Sequence, residues 1–92
     1  MAVKDIPRGK SSDFRRIYAT NANLLSSFYD INLIFGVVLP GTESPASIVI
    51  EDQASVAMAW EHAKSLHIAL GKAIVDYEAA HGSIRDIPGS VV

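Results

Sequence analysis

The chain has no cysteine among its 92 residues, so it carries no disulfide, no thiolate metal site and no cysteine nucleophile. Long apolar runs are missing as well. None approaches the roughly 18 residues that span a bilayer, and the opening MAVKDIPRGKSSDFRR has no apolar stretch of signal-peptide length. The expectation is a soluble, cytoplasmic protein with no membrane contact. Histidine is scarce, with His62, His67 and His81 the whole set. A helical ligand pair wants a spacing of three or four, whereas 62 and 67 are five apart and fall on different faces. No metal site and no cofactor are expected. The triplet Gly9-Lys10-Ser11 ends like a phosphate-binding loop, but Lys4 stands where that loop needs its first glycine. A Ser-His-Asp spacing signature is lacking too, and no carboxylate pair falls in an identifiable cleft. A chain this short has little room for a pocket of roughly a few hundred cubic ångströms. No catalytic residue is expected, and the chain reads as a non-enzyme.

What is present suits one small globular domain. Apolar residues make up 49% and charged residues 20%, too apolar for disorder. The net charge of −2 conceals an asymmetry. Residues 1 to 16 hold Lys4, Arg8, Lys10, Arg15 and Arg16 against Asp5 and Asp13, while the remainder holds three basic residues against eight acids. Residues 1–14, with Pro7, Gly9 and the Ser11-Ser12 pair, show no periodicity and read as a flexible basic leader.

Trp60 to His81 reads as one long helix that Gly82 ends in a left-handed conformation. Ala63, Leu66, Leu70, Ala73, Ile74 and Tyr77 fall on one stripe, the face expected to pack on a sheet. Truncating Leu70, near its centre, to Ala is expected to cost about 2–5 kcal/mol as a core deletion. The sheet is expected upstream. Arg15 to Leu25 is a strand weakened by Asn21 and Asn23, and Ser26-Ser27-Phe28 is its hairpin connection. In Tyr29 to Leu39 the odd positions Tyr29, Ile31, Leu33, Phe35, Val37 and Leu39 are all apolar, a strand with one buried face. After a loop at Pro40 to Pro45, the residues Ala46, Ile48, Ile50, Ala54, Val56 and Met58 keep a single parity with Asp52 as the only break. One strand carries them, with its parity kept through the acidic middle and a bulge near Asp52 as an option. The fold class is therefore α+β: a three-stranded antiparallel meander (β-β-β-α) packed against one long C-terminal helix. Residues 15–84 form the single domain. Residues 85–92 are a tail; Ile84 just before it and Ile87 within it are available to dock, and Pro88-Gly89 ends any order.

Four blocks in order, Tyr18-Ala19-Thr20-Asn21, Phe28 to Gly36 (FYDINLIFG), Glu61-His62-Ala63-Lys64, and Tyr77-Glu78 with Gly82-Ser83-Ile84, resemble a family of short prokaryotic proteins, the domain-of-unknown-function family 3467. The resemblance covers residues 15 to 84. The chain departs from the family pattern at Thr20, where Asn is favoured, and at Ser27, which replaces a proline. It departs again at Ala59-Trp60, in place of a capping Ser-Pro, and at His81, in place of Phe. Ala59 has no oxygen for the first-turn amides, a loss of about 1 kcal/mol that Glu61 partly offsets through the helix dipole. The resemblance implies a fold and a cytoplasmic, prokaryotic setting. It implies no activity and transfers no site residue.

A second apolar line on the helix runs Trp60, Ile68, Gly71, Val75, away from the core stripe. One sheet beneath one helix covers one stripe only, so these four residues are the expected self-association surface. Gly71 is costly in mid-helix, by up to about 1 kcal/mol relative to Ala, and close approach of another backbone would explain it. The long strand from Ala46 to Met58 lacks lysine and proline, the usual protections of an open edge. The expected function is therefore a self-associating interaction or scaffold module, a homodimer or larger homo-oligomer that also offers a surface to a protein partner. The alternatives are a nucleic-acid-associated protein using Arg8, Lys10, Arg15 and Arg16, and a small holdase-like or adaptor protein.

Overall fold

β2 (Asp30–Pro40) is the middle strand of a three-stranded antiparallel sheet, flanked by β1 (Asn21–Ser26) and β3 (Ile48–Ala59). The chain passes from Ala59 straight into α1 (Trp60–His81), with no loop between strand and helix. This is the α+β meander-and-helix order read from the sequence. The computed structural model describes residues 6–41, 47–88, 90 and 91, so part of the leader, residues 42–45 of the expected loop, Ala46 of the expected strand, and Gly89 and Val92 of the expected tail lie outside the described residues.

β1 is shorter at its start than expected. The Thr20 N–H still donates to the Gly36 carbonyl at 2.9 Å, but Val38 N–H donates to Thr20 Oγ1 at 3.0 Å. A side chain thus takes the place of a ladder carbonyl, and the ladder does not continue back to Arg15. Asn21, which weakens the strand by propensity, opens it and is buried. The hairpin turns at Ser27 to Asp30. Ser27 N–H donates to the Asp30 carbonyl at 2.9 Å, and Ser27 Oγ accepts from the amides of Tyr29 (3.2 Å) and Asp30 (3.1 Å). A hydroxyl folding the next amides inward is a common way for serine to form a turn. Phe28 and Tyr29 stand exposed at the tip, their rings edge-on at 5.2 Å.

β3 departs from its expected single parity. Phe35 pairs with Ala54 but Gly36 pairs with Asp52, so Gln53 is the extra residue of a bulge. Residues directly opposite each other share a face. Val56 and Met58 therefore lie with Leu33 and Ile31, whereas Ile48 and Ile50 lie with Pro40 and Val38 on the other face. The single parity of the apolar residues conceals this change of face, because the extra residue, Gln53, sits beside Asp52, where the apolar pattern is already broken. Gly36 is required at this point, because a Cβ on it would sit 2.8 Å from the Glu51 carbonyl oxygen.

The helix has its expected bounds, Trp60 to His81, and Ala59 supplies no side-chain cap. At the other end Gly82 has φ 92° and ψ 170°, and its N–H donates to the Glu78 carbonyl at 2.8 Å. The positive φ is as expected, but ψ is extended rather than left-handed helical, a region open essentially to glycine alone. Glu78 Oε2 accepts from Ile84 N–H at 2.8 Å and completes the cap. Beyond Pro88 the chain keeps contact with the domain, contrary to the expected loss of order. Ala22 N–H donates to the Ser90 carbonyl at 2.8 Å, and Val91 forms a parallel bridge with Ala22 on the outer edge of β1. Among the described residues no strand pairs with the outer edge of β3.

One expectation fails at the level of packing. Among the described residues no apolar side chain is buried, and only Asn21 and Gly36, partners across β1 and β2, are. The helix buries none of its residues. The radius of gyration is 16.7 Å, against about 12 Å for a compact domain of this length.

Candidate functional site

A large apolar concavity lies between the sheet and the first three turns of the helix. The sheet wall is Leu24, Ile31, Leu33 and Met58, which the register sets on one face. The helix wall includes Trp60, Ala63, Leu66 and Leu70, with Lys64 and His67 supplying the polar groups, and Val91 contributes from the returning C-terminal segment. The groove holds about 590 Å³ and is open to solvent. Of the helix stripe expected to face the sheet, the first half, Ala63, Leu66 and Leu70, does face it, whereas Ala73, Ile74 and Tyr77 lie beyond the groove. Yet Leu66 remains 40% exposed and Leu70 58% exposed, because the two walls stand apart instead of interdigitating.

Trp60 holds the groove open at one end. Its indole Nε1–H donates to the Ser27 carbonyl at 3.0 Å, tying the first helical residue to the β1–β2 turn. An exposed aromatic at the helix start thereby gains a fixed orientation. The four residues expected to mediate self-association are thus divided. Trp60 lines the groove, whereas Ile68 and Val75 are not among its lining residues and are 61% and 63% exposed. Gly71 meets nothing within 4 Å of where a Cβ would stand, so no contact within the chain requires glycine there. Leu66 and Leu70, expected as core residues, instead form the groove's main walls together with the sheet residues facing them. The common face of Leu24, Leu33 and Met58 follows from the strand register rather than from the sequence.

Among the described residues, the basic side chains Arg8, Lys10, Arg15 and Arg16 do not line this groove. Arg8, Arg15 and Arg16 are exposed, and Lys10 places its ammonium 5.1 Å from the centre of the Phe14 ring. Phe14 N–H donates to the Ser11 carbonyl at 3.1 Å, a local turn. Among the described residues no three His, Asp or Glu side chains come together in a way that could hold a metal ion. His67 borders the groove, His62 is exposed and His81 packs its ring against Tyr77 at 4.6 Å. Among the described residues no helix is long and apolar enough to cross a membrane.

The sequence matches a family of proteins of unknown function, DUF3467, over residues 5–86. The chain belongs to that family. No curated protein and no solved structure matches it. The blocks that carry the family resemblance coincide here with structural devices. Thr20 ends the β1–β2 ladder, Gly36 admits the bulge, Ala63 and Lys64 border the groove, and Glu78 with Gly82 ends the helix. Each of these positions has an architectural reason, and none adds a reactive group to another.

Proposed function

We propose that this member of the family is a non-enzymatic, self-associating interaction module. The observation that carries the reading is the absence of a buried apolar side chain among the described residues, in a chain with a well-formed sheet and a continuous helix. Burying a leucine- or isoleucine-sized side chain contributes about 1.5–3 kcal/mol. Leu66, Leu70, Ile74 and Tyr77 stand roughly half exposed, so together they forgo on the order of 3–6 kcal/mol. That is comparable to the whole stability of a small domain, about 5–15 kcal/mol. Association is the direct route by which such a chain recovers that burial. The outer edge of β3 supports the same reading, since its twelve residues contain neither lysine nor proline.

Light scattering coupled to size exclusion, over a concentration series, tests this. The expected result is a whole-number multiple of 9.9 kDa that persists on dilution. A 9.9 kDa species at every concentration would overturn the proposal. Recording absorbance at 260 nm in the same run tests the basic leader, since co-eluting nucleic acid would give Arg8, Lys10, Arg15 and Arg16 a role.

A further inference from the structure

We infer that the occupant of the groove is a second copy of this chain, with Ile74 and Tyr77 of each helix entering the groove of the other. The inference rests on the self-association reading and adds its surface and geometry. At 1.5 Å per residue the helix is about 33 Å long, but its groove-lining residues stop at Leu70. Ile74 and Tyr77 continue the same stripe beyond the groove and remain 43% and 54% exposed. Half of the stripe therefore faces an open groove, and the other half lacks a groove to face. Two copies related by a two-fold axis near Leu70 satisfy both halves at once, because each supplies what the other lacks.

Size decides between this occupant and a smaller one. The chain exposes 8222 Å², against about 5,200 Å² expected for a compact monomer of its mass. The extended segment from Ile6 to Thr20 accounts for part of that excess. A small ligand in the 590 Å³ groove would leave Ile74 and Tyr77 exposed as before. A stable obligate dimer buries roughly 2,000 Å² or more in total, about an eighth of what each copy exposes. The groove is also too small for a whole helix, about 10–12 Å across, but it accepts the side chains of one. That is the ridge-into-groove contact of packed helices. The two polar groups at its border, Lys64 and His67, leave the floor formed by Leu24, Leu33 and Met58 apolar.

Substitutions on the two faces of the helix separate the outcomes. The wild-type chain is expected at about twice 9.9 kDa, and I74D and Y77D should weaken the dimer at least tenfold, whereas I68D and V75D, on the line first expected to mediate association but outside the groove, should leave its mass unchanged. Because I74D can fail to fold, a cross-link gives a second readout in a chain with no cysteine of its own. A chain carrying Leu24→Cys, mixed with a longer tagged chain carrying Tyr77→Cys, should form a mixed disulfide dimer on oxidation. Its absence, or a dimer that I68D dissociates and I74D does not, would overturn the groove contact while self-association stands. A wild-type monomer would overturn both.

Discussion

Gly36 and Ser27 show what single residues contribute to this fold. At Gly36 the obstacle to a side chain is a backbone oxygen, Glu51 O, 2.8 Å from an added Cβ, and a ladder cannot move aside as a flexible side chain can. Gly36→Ala is expected to destabilise by about 1–3 kcal/mol, read as a lower denaturant midpoint at unchanged slope. Ser27 acts through its hydroxyl, which accepts from two amides and donates to Asp30 Oδ1 at 2.9 Å. Ser27→Ala should cost about 1 kcal/mol, because these groups are exposed and water replaces part of what is lost. Ser27 was readable as a turn residue, in the Ser26-Ser27-Phe28 connection. That Gly36 faces a bulge was not readable, because the bulge lies in the partner strand at Gln53, seventeen positions away in the chain.

At the scale of the element, the helix was the most legible part. Its 22 residues run from Trp60 to His81, and both ends follow from local chemistry: Gly82 stops it, and Ala59 leaves it uncapped. Ala59 already has the extended φ and ψ of a cap residue, −65° and 154°. Ala59→Ser should therefore stabilise by about 1 kcal/mol, a rise of about 4–8 °C in the midpoint of thermal unfolding. β3 was legible in extent but not in facing. Alternation of apolar residues reports a face only while the pairing register holds, and one inserted residue transfers Ile48 and Ile50 to the opposite side. β1 was overextended for a related reason, since Ile17 and Tyr18 have strand propensity but no partner strand beside them.

At the scale of the whole molecule, stability should depend on concentration. A domain that recovers its apolar burial through a second copy melts higher as the protein is concentrated. Tenfold dilution is expected to lower the midpoint by about 3–6 °C for a dimer of this size, whereas a stable monomer would show no change. Leu70→Ala belongs at this scale too. Within one copy Leu70 is already 58% exposed, so the full cost of about 2–5 kcal/mol expected of a core leucine requires the assembled state. Well below the association midpoint, the variant and the wild type should differ by less.

Local order in this protein was determined by the sequence alone. Periods of 2 and 3.6 residues, a serine turn and a glycine stop depend on neighbours a few positions away, and they placed three strands and one helix in their correct order. The tertiary structure decided which faces meet. It put the bulge at Gln53, returned Val91 to the β1 edge, anchored Trp60 to the hairpin, and left the helix standing off the sheet. These outcomes depend on distances between segments remote in the chain. A stripe of apolar residues states only that something will cover it, and has no means of stating whether the cover comes from the same copy or another.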